Sequence, residues 1–211
     1  MTVVSPALST APSAGGQYRR PILTAAIELT ATEGWAAVTM NRLAEIVGVS
    51  RRTVYNELGS KTALAEAMIS HELERFLAVV RDAFERHPED LVEAIYDAVR
   101  SVLELANGNI LLRAIASATH GADTELLPLL TTQASSLLTE AKTMLAGRVE
   151  PYRPPLTKEQ ITALIDVVVR TVLSHVMQPS DTPAHTADAI AWLAARLLDA
   201  PSVRPLRFAR R

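Results

Sequence analysis

Apolar residues recur at three- and four-residue spacing through most of the chain, which is typical of α-helices. Between residues 39 and 61 this spacing occurs in two short stretches, one before Gly48 and one after Ser50. Thr39 and Ser50 are good N-caps, because a hydroxyl can accept a hydrogen bond from an unpaired amide of the first helical turn. Gly48 follows the last apolar residue of the first stretch, where glycine adopts a left-handed backbone at little cost. The pattern therefore predicts a helix-turn-helix.

The second helix of this motif is expected to present its polar side chains to solvent. Val54 and Leu58 lie one turn apart and can both face inward. A helix-turn-helix lays its second helix in the major groove, where arginine reads guanine edges and threonine or asparagine bonds to bases or phosphates. The candidate DNA-contacting residues are Thr39, Asn41, Arg51, Arg52, Thr53, Tyr55, Asn56 and Lys61. The alternative is a surface helical hairpin whose arginines are merely solvated.

Helices are predicted on both sides of the motif. One begins near Pro21 and stops at Gly34, and it provides the third wall of the motif's core. The other opens at Ser60 and runs to about Arg86, with one apolar stripe along its length. Lys61 near its N-terminus opposes the helix dipole, so this cation makes more sense beside a phosphate.

Residues 19–73 resemble the DNA-binding domain of a known family. The matching positions are Gly34 followed by Trp35, Thr39, Leu43 with Ala44, Gly48-Val49-Ser50, Thr53, Tyr55, and Ser60-Lys61 before Ala63-Leu64. On these positions the chain resembles the TetR (tetracycline-repressor-like) family of bacterial regulators. The resemblance implies an all-α fold, with an N-terminal three-helix helix-turn-helix domain and a C-terminal helical domain for ligand binding and dimerisation.

Three positions depart from the family pattern. Glu57 stands where the family usually has a histidine that touches a phosphate, and a carboxylate there would repel one. Asn56 replaces a second tyrosine, and Gly59 stands where proline is common, which loosens the turn. We therefore expect the phosphate contact at position 57 to be absent.

The chain is expected to divide into four segments. Residues 1–17 are rich in Ala, Ser, Thr, Pro and Gly and predict a disordered arm. Residues 18–64 form the helix-turn-helix domain, and residues 65–203 form the effector-binding and dimerisation domain. Residues 204–211 are a basic tail.

Two helices near the C-terminal end of the chain indicate an interface with a second copy of the protein. The helix expected over 157–177 starts with a capping box, Thr157 with Gln160, and its apolar face is too wide for a surface helix. The helix expected over 184–200 is rich in alanine, which lets helices approach closely. We expect both helices to pack on their copies as a four-helix bundle around a two-fold axis. The alternative is a purely intramolecular core.

Further helices are expected at about 89–106, at a short segment capped by Asn109, and at 126–149.

Composition and charge narrow the class of protein to which the chain can belong. The chain has 211 residues, 48% of them hydrophobic, with no sustained strand alternation, and its formal net charge is −2. Residues 39–61 carry four basic and two acidic side chains, a local +2 that leaves −4 for the remainder. There is no cysteine, which is compatible with a reducing cytosol and excludes disulfides and thiolate chemistry. No uninterrupted apolar run has membrane-spanning length, so we expect a cytoplasmic protein without a membrane partner.

The second domain shows no combination of residues that is typical of an active site. The five histidines are scattered, and no nucleophile motif, metal-ligand spacing or phosphate-binding loop is present, so we expect no enzyme activity, cofactor or metal. The available lining for a small-molecule pocket is mainly aliphatic and fits an apolar effector with one or two polar anchors. The candidate ligand-binding residues are Phe76, Tyr96, Arg113, His120 and Met144, with Thr119 as a further polar candidate. Core packing or simple surface exposure is the alternative for each.

These observations predict a homodimeric transcriptional regulator, a repressor, that binds a pseudo-palindromic double-stranded operator and is released by a small apolar effector. One alternative is a helical small-molecule-binding or scaffold protein whose DNA-binding surface has decayed, for which Glu57 is the best argument. The other is a helical enzyme, which no motif supports.

Overall fold

The computed structural model describes residues 16–117, 126, 128 and 135–199, and all regular secondary structure within them is helical. This confirms the all-α prediction. The helices are α1 Arg19–Glu33, α2 Met40–Val47, α3 Arg51–Leu58, α4 Lys61–Arg86, α5 Leu91–Gly108, α6 Ile110–Ser117, α7 Ser135–Val149, α8 Lys158–Met177 and α9 Pro183–Asp199. Short 3₁₀ turns follow α1, at Trp35–Ala37, and α7, at Glu150–Tyr152.

The ends of α2 and α3 form as the sequence predicts. The Thr39 hydroxyl accepts the amide of Arg42 at 3.2 Å, and the Ser50 hydroxyl accepts the amide of Thr53 at 3.0 Å. Gly48 closes α2 with φ of 74°, the left-handed conformation that glycine adopts without a Cβ penalty. Local capping chemistry thus fixes the angle at which α3 leaves α2.

A single apolar core holds α1, α2, α3 and the first turns of α4 together. Its fully buried members include Ile22 of α1, Leu43 of α2, Val54 of α3 and Met68 of α4. Leu111 and its neighbours on α6 belong to the same core, because α6 packs against α1. The helix-turn-helix unit is therefore joined to the rest of the chain by two routes, through α4 and through α6.

The far half of α4 enters a second core with α5, α7 and α8, while α5 also packs along α9. Tyr152, in the 3₁₀ turn after α7, holds this turn against the C-terminal end of α4. Its hydroxyl donates to the carbonyl oxygens of His87 at 2.6 Å and Phe84 at 3.2 Å. Burial raises the pKa of the Tyr152 hydroxyl, so the group stays protonated and remains a donor.

Some predicted boundaries differ from the structure. The helix expected over 89–106 begins at Leu91, because Asp90 is the N-cap and accepts the amide of Glu93 at 2.9 Å. It also continues to Gly108, immediately before the Asn109 cap of α6. The Thr157–Gln160 capping box is present. Of the helix expected over 126–149, α7 is the continuous described part. Residues 1–15 of the predicted arm and the predicted basic tail lie outside the described residues.

Helix α8 is only partly covered within one chain. Ile165 is its only buried residue, while Val167 is 61% exposed. By length and composition α8 is also the one helix of the described ranges that could cross a membrane, with a mean hydropathy of 1.4 over 18 residues, 6% of them buried. Asp166 and Arg170 interrupt its apolar sequence and pair at 3.0 Å. A charged pair of this kind is rare inside a membrane-spanning helix.

Candidate DNA-binding surface and effector cavity

Helix α3 rests on the core by one face and presents the other to solvent. Val54 and Leu58 are buried, as their spacing predicts. Arg51, Arg52 and Asn56 are exposed on the opposite side. The rigid inner face fixes the backbone, so the outward side chains project from a defined position.

Arg51 and Tyr55 form a stacked pair one turn apart on this exposed face. The Arg51 guanidinium carbon lies 5.3 Å from the Tyr55 ring centroid, and its Nη2 donates to the Tyr55 hydroxyl at 3.3 Å. The tyrosine thereby restricts the arginine to one side of α3. Such preorganisation reduces the entropy that Arg51 loses on binding.

The remaining predicted polar residues near α3 are brought to the same end of the domain. Thr39 and Asn41 are exposed at the start of α2. Thr53 is half-buried, and its hydroxyl is 2.8 Å from that of its N-cap, Ser50. Asn41 is exposed beside the Thr39 cap, whose hydroxyl accepts the Arg42 amide and keeps its own proton for a further acceptor, whereas Thr53 shares its hydroxyl with Ser50.

Lys61 has partners inside the protein that the sequence did not reveal. Its Nζ donates to the carbonyl oxygen of Trp35 at 3.0 Å and lies 4.6 Å from the centroid of the Trp35 indole. The side chain is half-buried. The structure therefore places this cation on the turn after α1, where it stabilises the protein itself.

Glu57 also has an unexpected partner. Both of its carboxylate oxygens accept the amide of Gly16, at 3.1 and 3.0 Å, and its own carbonyl oxygen accepts from Arg19 Nη1 at 2.8 Å. Glu57 thus anchors the segment before α1 to the last turn of α3. These contacts join residues about 40 positions apart, so no local sequence pattern could have shown them.

Arg42, one of the four basic residues in the motif, is paired with Glu33. Two hydrogen bonds of 2.8 and 2.7 Å join the guanidinium to the carboxylate. These hydrogen bonds lower the pKa of the Glu33 carboxyl below its ordinary value. Arg51 and Arg52 on α3 are consequently the exposed pair among the four basic residues of the motif.

A cavity of about 190 Å³ lies between α4, α5, α7 and α8, with one side closed by α6. Phe76 and Met144 line it, as predicted for ligand-binding residues. Tyr96 and Arg113 are not on its wall: Tyr96 packs near α9, and Arg113 is exposed on α6. Thr119 and His120 lie outside the described residues. Of the predicted ligand-binding residues that the structure describes, Phe76 and Met144 therefore line the cavity, and Tyr96 and Arg113 lie away from it.

Glu72 is the one residue with a polar side chain among the described residues of the cavity wall. It is 4% exposed, accepts from Asn109 Nδ2, and accepts from Arg75 Nη1 at 3.1 and 2.9 Å. Asn109 in turn caps α6 by accepting the amide of Leu112 at 2.9 Å. This burial could not be predicted from the sequence, because a glutamate on a long helix is usually solvated.

The described residues contain no group of three or more His, Asp or Glu side chains that could hold a metal ion. The chemistry assembled on the described part of the chain is an exposed polar helix at one end and an aliphatic cavity at the other.

Two family models match the chain. The model described as "Bacterial regulatory proteins, tetR family" covers residues 22–68, which include α2 and α3. The model described as "Bacterial Tetracyclin repressor, C-terminal domain" covers residues 90–196, which include most of the cavity wall outside α4. The two matches divide the chain between the exposed polar helix and the unit that surrounds the cavity.

Individual relatives agree with these matches. The HTH-type transcriptional regulator AlkX of Mycobacterium tuberculosis is 29% identical over 175 residues, which are 83% of this chain and 82% of the relative. The nucleoid occlusion factor SlmA of Haemophilus influenzae is 34% identical over 94 residues, which are 44% of this chain and 43% of the SlmA chain. A crystal structure of the TetR-family repressor AlkX from Dietzia sp., implicated in biodegradation of n-alkanes, has a TM-score of 0.70 and 26% identity. That match covers 84% of this chain and 95% of that chain.

Proposed function

Because the chain belongs to the TetR family of bacterial DNA-binding transcriptional regulators, we propose that it is a homodimeric, cytoplasmic repressor. Each α3 reads one half-site of a pseudo-palindromic operator. A small apolar effector in the cavity releases the DNA. The exposed face of α3, held from behind by Val54 and Leu58, is the observation that carries this function.

The DNA-contacting set combines reading and positioning roles. Arg51 and Arg52 are exposed at the N-terminal end of α3, the end that a helix-turn-helix directs at base edges. Tyr55 and Asn56 follow one turn later, and Thr39 and Asn41 reach the phosphates from α2. Thr53 and Lys61 contribute mainly through the internal contacts that shape the surface.

The dimer forms through α8 and α9. Val167 on α8 and Trp192 on α9 are 61% and 56% exposed in the single chain, and Leu193 is similarly uncovered. Large exposed apolar patches mark protein interfaces. A two-fold axis at this face gives the four-helix bundle that the sequence pattern predicts, and covers the apolar surface of α8 without a membrane.

The working division of the chain follows from these roles. Residues 18–64 carry DNA recognition, and residues 65–203 carry the effector cavity and the dimer face. Helix α4 crosses this division without a break, and α6 packs on α1 in the DNA-binding core. A shift of α4 or α6 therefore moves α3 of each subunit relative to its partner.

The effector is aliphatic. Leucine, valine and isoleucine dominate the cavity wall, with Phe76 and Phe84 as its aromatic residues. The Dietzia AlkX repressor is implicated in biodegradation of n-alkanes, and an aliphatic effector for this cavity is consistent with that role. Half-sites lie about 34–36 Å apart per helical turn, so a small change in the spacing of the two α3 helices prevents simultaneous docking. The effector acts through its differential affinity for the two spacings.

Selection of bound duplexes from a random DNA pool tests this function. The full chain is incubated with the pool at about 0.15 M salt, where non-specific phosphate binding is partly screened. Enrichment of an inverted repeat is expected, and Arg52→Ala should lose it. Recovery of no sequence from a folded dimer would contradict operator recognition and favour the decayed-surface alternative.

A further inference from the structure

The described part of the cavity wall has no group that can neutralise an anion. Apart from Glu72, the described lining residues are aliphatic, aromatic or thioether. The sequence has no lysine or arginine between Arg113, which is exposed, and Lys142, whose ammonium bonds Asp166 at 2.9 Å. A carboxylate brought into this cavity would be a buried charge without a counterion, which is strongly unfavourable.

Glu72 adds a fixed negative charge to the wall. Arg75 holds the carboxylate from the solvent side, and Asn109 holds it from α6. Its hydrogen-bonding capacity is therefore largely occupied, so it has little to offer a ligand cation. Its charge repels a second carboxylate through a low-dielectric interior. Arg75 itself is half exposed and does not line the cavity, so it cannot reach a ligand while Glu72 holds it.

These contacts rest against the DNA-binding unit. Ile69 and Leu112 flank Glu72 on the wall, and both also belong to the core shared by α1, α2 and α3. A ligand at this end of the cavity therefore touches residues on which the position of the DNA-binding helices depends.

We propose that the effector is an uncharged aliphatic molecule, and that Glu72 is the residue that makes this cavity reject the corresponding carboxylic acid anion. This inference rests on the proposed function, because it concerns the ligand of the same cavity. Glu72 discriminates in two ways: it repels the anion, and it keeps the Arg75 guanidinium out of the ligand's reach.

Calorimetric titration of the full-length protein with octanol and with octanoate at neutral pH tests the proposal. Octanol is expected to bind, and octanoate to bind on the order of 100-fold more weakly, since its charge has no partner inside. Glu72→Gln removes the charge, keeps an acceptor for Asn109 and frees Arg75. In that variant octanoate should come within about tenfold of octanol. Glu74→Gln, a change at an exposed position on the same helix, is the matched control and should leave the ratio of affinities unchanged.

A pH series on the unmodified protein gives a second readout that needs no variant. Lowering the pH by one unit raises the fraction of neutral octanoic acid about tenfold, so its apparent affinity should rise by that factor while that of octanol stays constant.

Three results would overturn the inference. Equal binding of octanol and octanoate by the unmodified protein would remove the discrimination while leaving the proposed function intact. An unchanged ratio in a folded Glu72→Gln variant would remove Glu72 as its cause. Binding of neither compound would overturn the cavity as a site for aliphatic effectors, while operator selection would still report on DNA recognition.

Discussion

The ammonium of Lys61 donates to the carbonyl oxygen of Trp35 at 3.0 Å and sits 4.6 Å from the centroid of the same residue's indole ring. The two residues are 26 positions apart and belong to the first turn of α4 and the turn after α1. The contact therefore closes the helix-turn-helix unit on itself. It also accounts for a cation at a helix N-terminus, a position that the helix dipole disfavours.

Lys61→Met should lower stability more than DNA affinity. Methionine keeps the length of the side chain but removes the cation and the donor, so the free energy of unfolding should fall by about 1 kcal/mol. Thermal and urea unfolding measure this. Lys158→Met, at the equivalent first position of α8 and exposed, is the control and should change stability little. A stable Lys61→Met protein whose operator salt dependence drops by about one counterion would instead assign Lys61 to a phosphate.

Arg52→Ala should weaken operator binding without loss of fold. Arg52 is exposed on α3, and a specific base contact is worth about 1–3 kcal/mol. Fluorescence anisotropy on the selected duplex gives the affinity, and circular dichroism gives the melting temperature. Arg100→Ala removes an exposed arginine from α5 in the second domain and should leave operator affinity unchanged. Equal losses for the two variants would indicate a non-specific charge effect.

Replacing Glu57 separates its charge from its anchoring contact. Glu57→Gln keeps an oxygen to accept the Gly16 amide but removes a negative charge beside the DNA, so operator affinity should rise modestly and its salt dependence should steepen. Glu57→Ala removes the charge and the anchor together. Fluorescence anisotropy across a salt series measures operator affinity. Weaker operator binding by Glu57→Gln would show that the negative charge of Glu57 contributes to DNA binding.

Charged substitutions on the uncovered helices should separate the subunits. Val167→Glu on α8 or Trp192→Glu on α9 places a charge in the proposed interface, at positions that are exposed in the single chain. Light scattering should show a dimer for the unmodified protein at micromolar concentration and a monomer for each variant. Helical content is expected to be retained. Thr162→Glu, exposed on the flank of α8 beside Lys142, should stay dimeric. A monomeric unmodified protein would contradict the interface directly.

The sequence predicted those features that depend on neighbouring residues. Thr39, Gly48 and Ser50 fix the ends of α2 and α3 through bonds spanning three or four residues, so the helix-turn-helix could be predicted from spacing alone. The Thr157–Gln160 capping box is local in the same way. Exposure of the arginines on α3 followed from the inward spacing of Val54 and Leu58.

The features that sequence reasoning missed depend on contacts between distant residues. Glu57 meets Gly16 across 41 positions, and Glu72 meets Asn109 across 37. Glu72 looks like any solvated glutamate until α6 packs beside it. Arg113, one of the predicted polar anchors, faces solvent because the inward face of α6 is taken by Leu111, Leu112 and Ile115.

Thermodynamic linkage between effector and operator binding shows whether the cavity and α3 control one another. Operator affinity of the dimer is measured by anisotropy in buffer and with saturating octanol, and octanol affinity is measured with and without operator. Bound octanol should weaken operator binding by roughly 5- to 150-fold, and operator should weaken octanol binding by the same factor. Octanol that binds the dimer and leaves operator affinity unchanged would contradict the account.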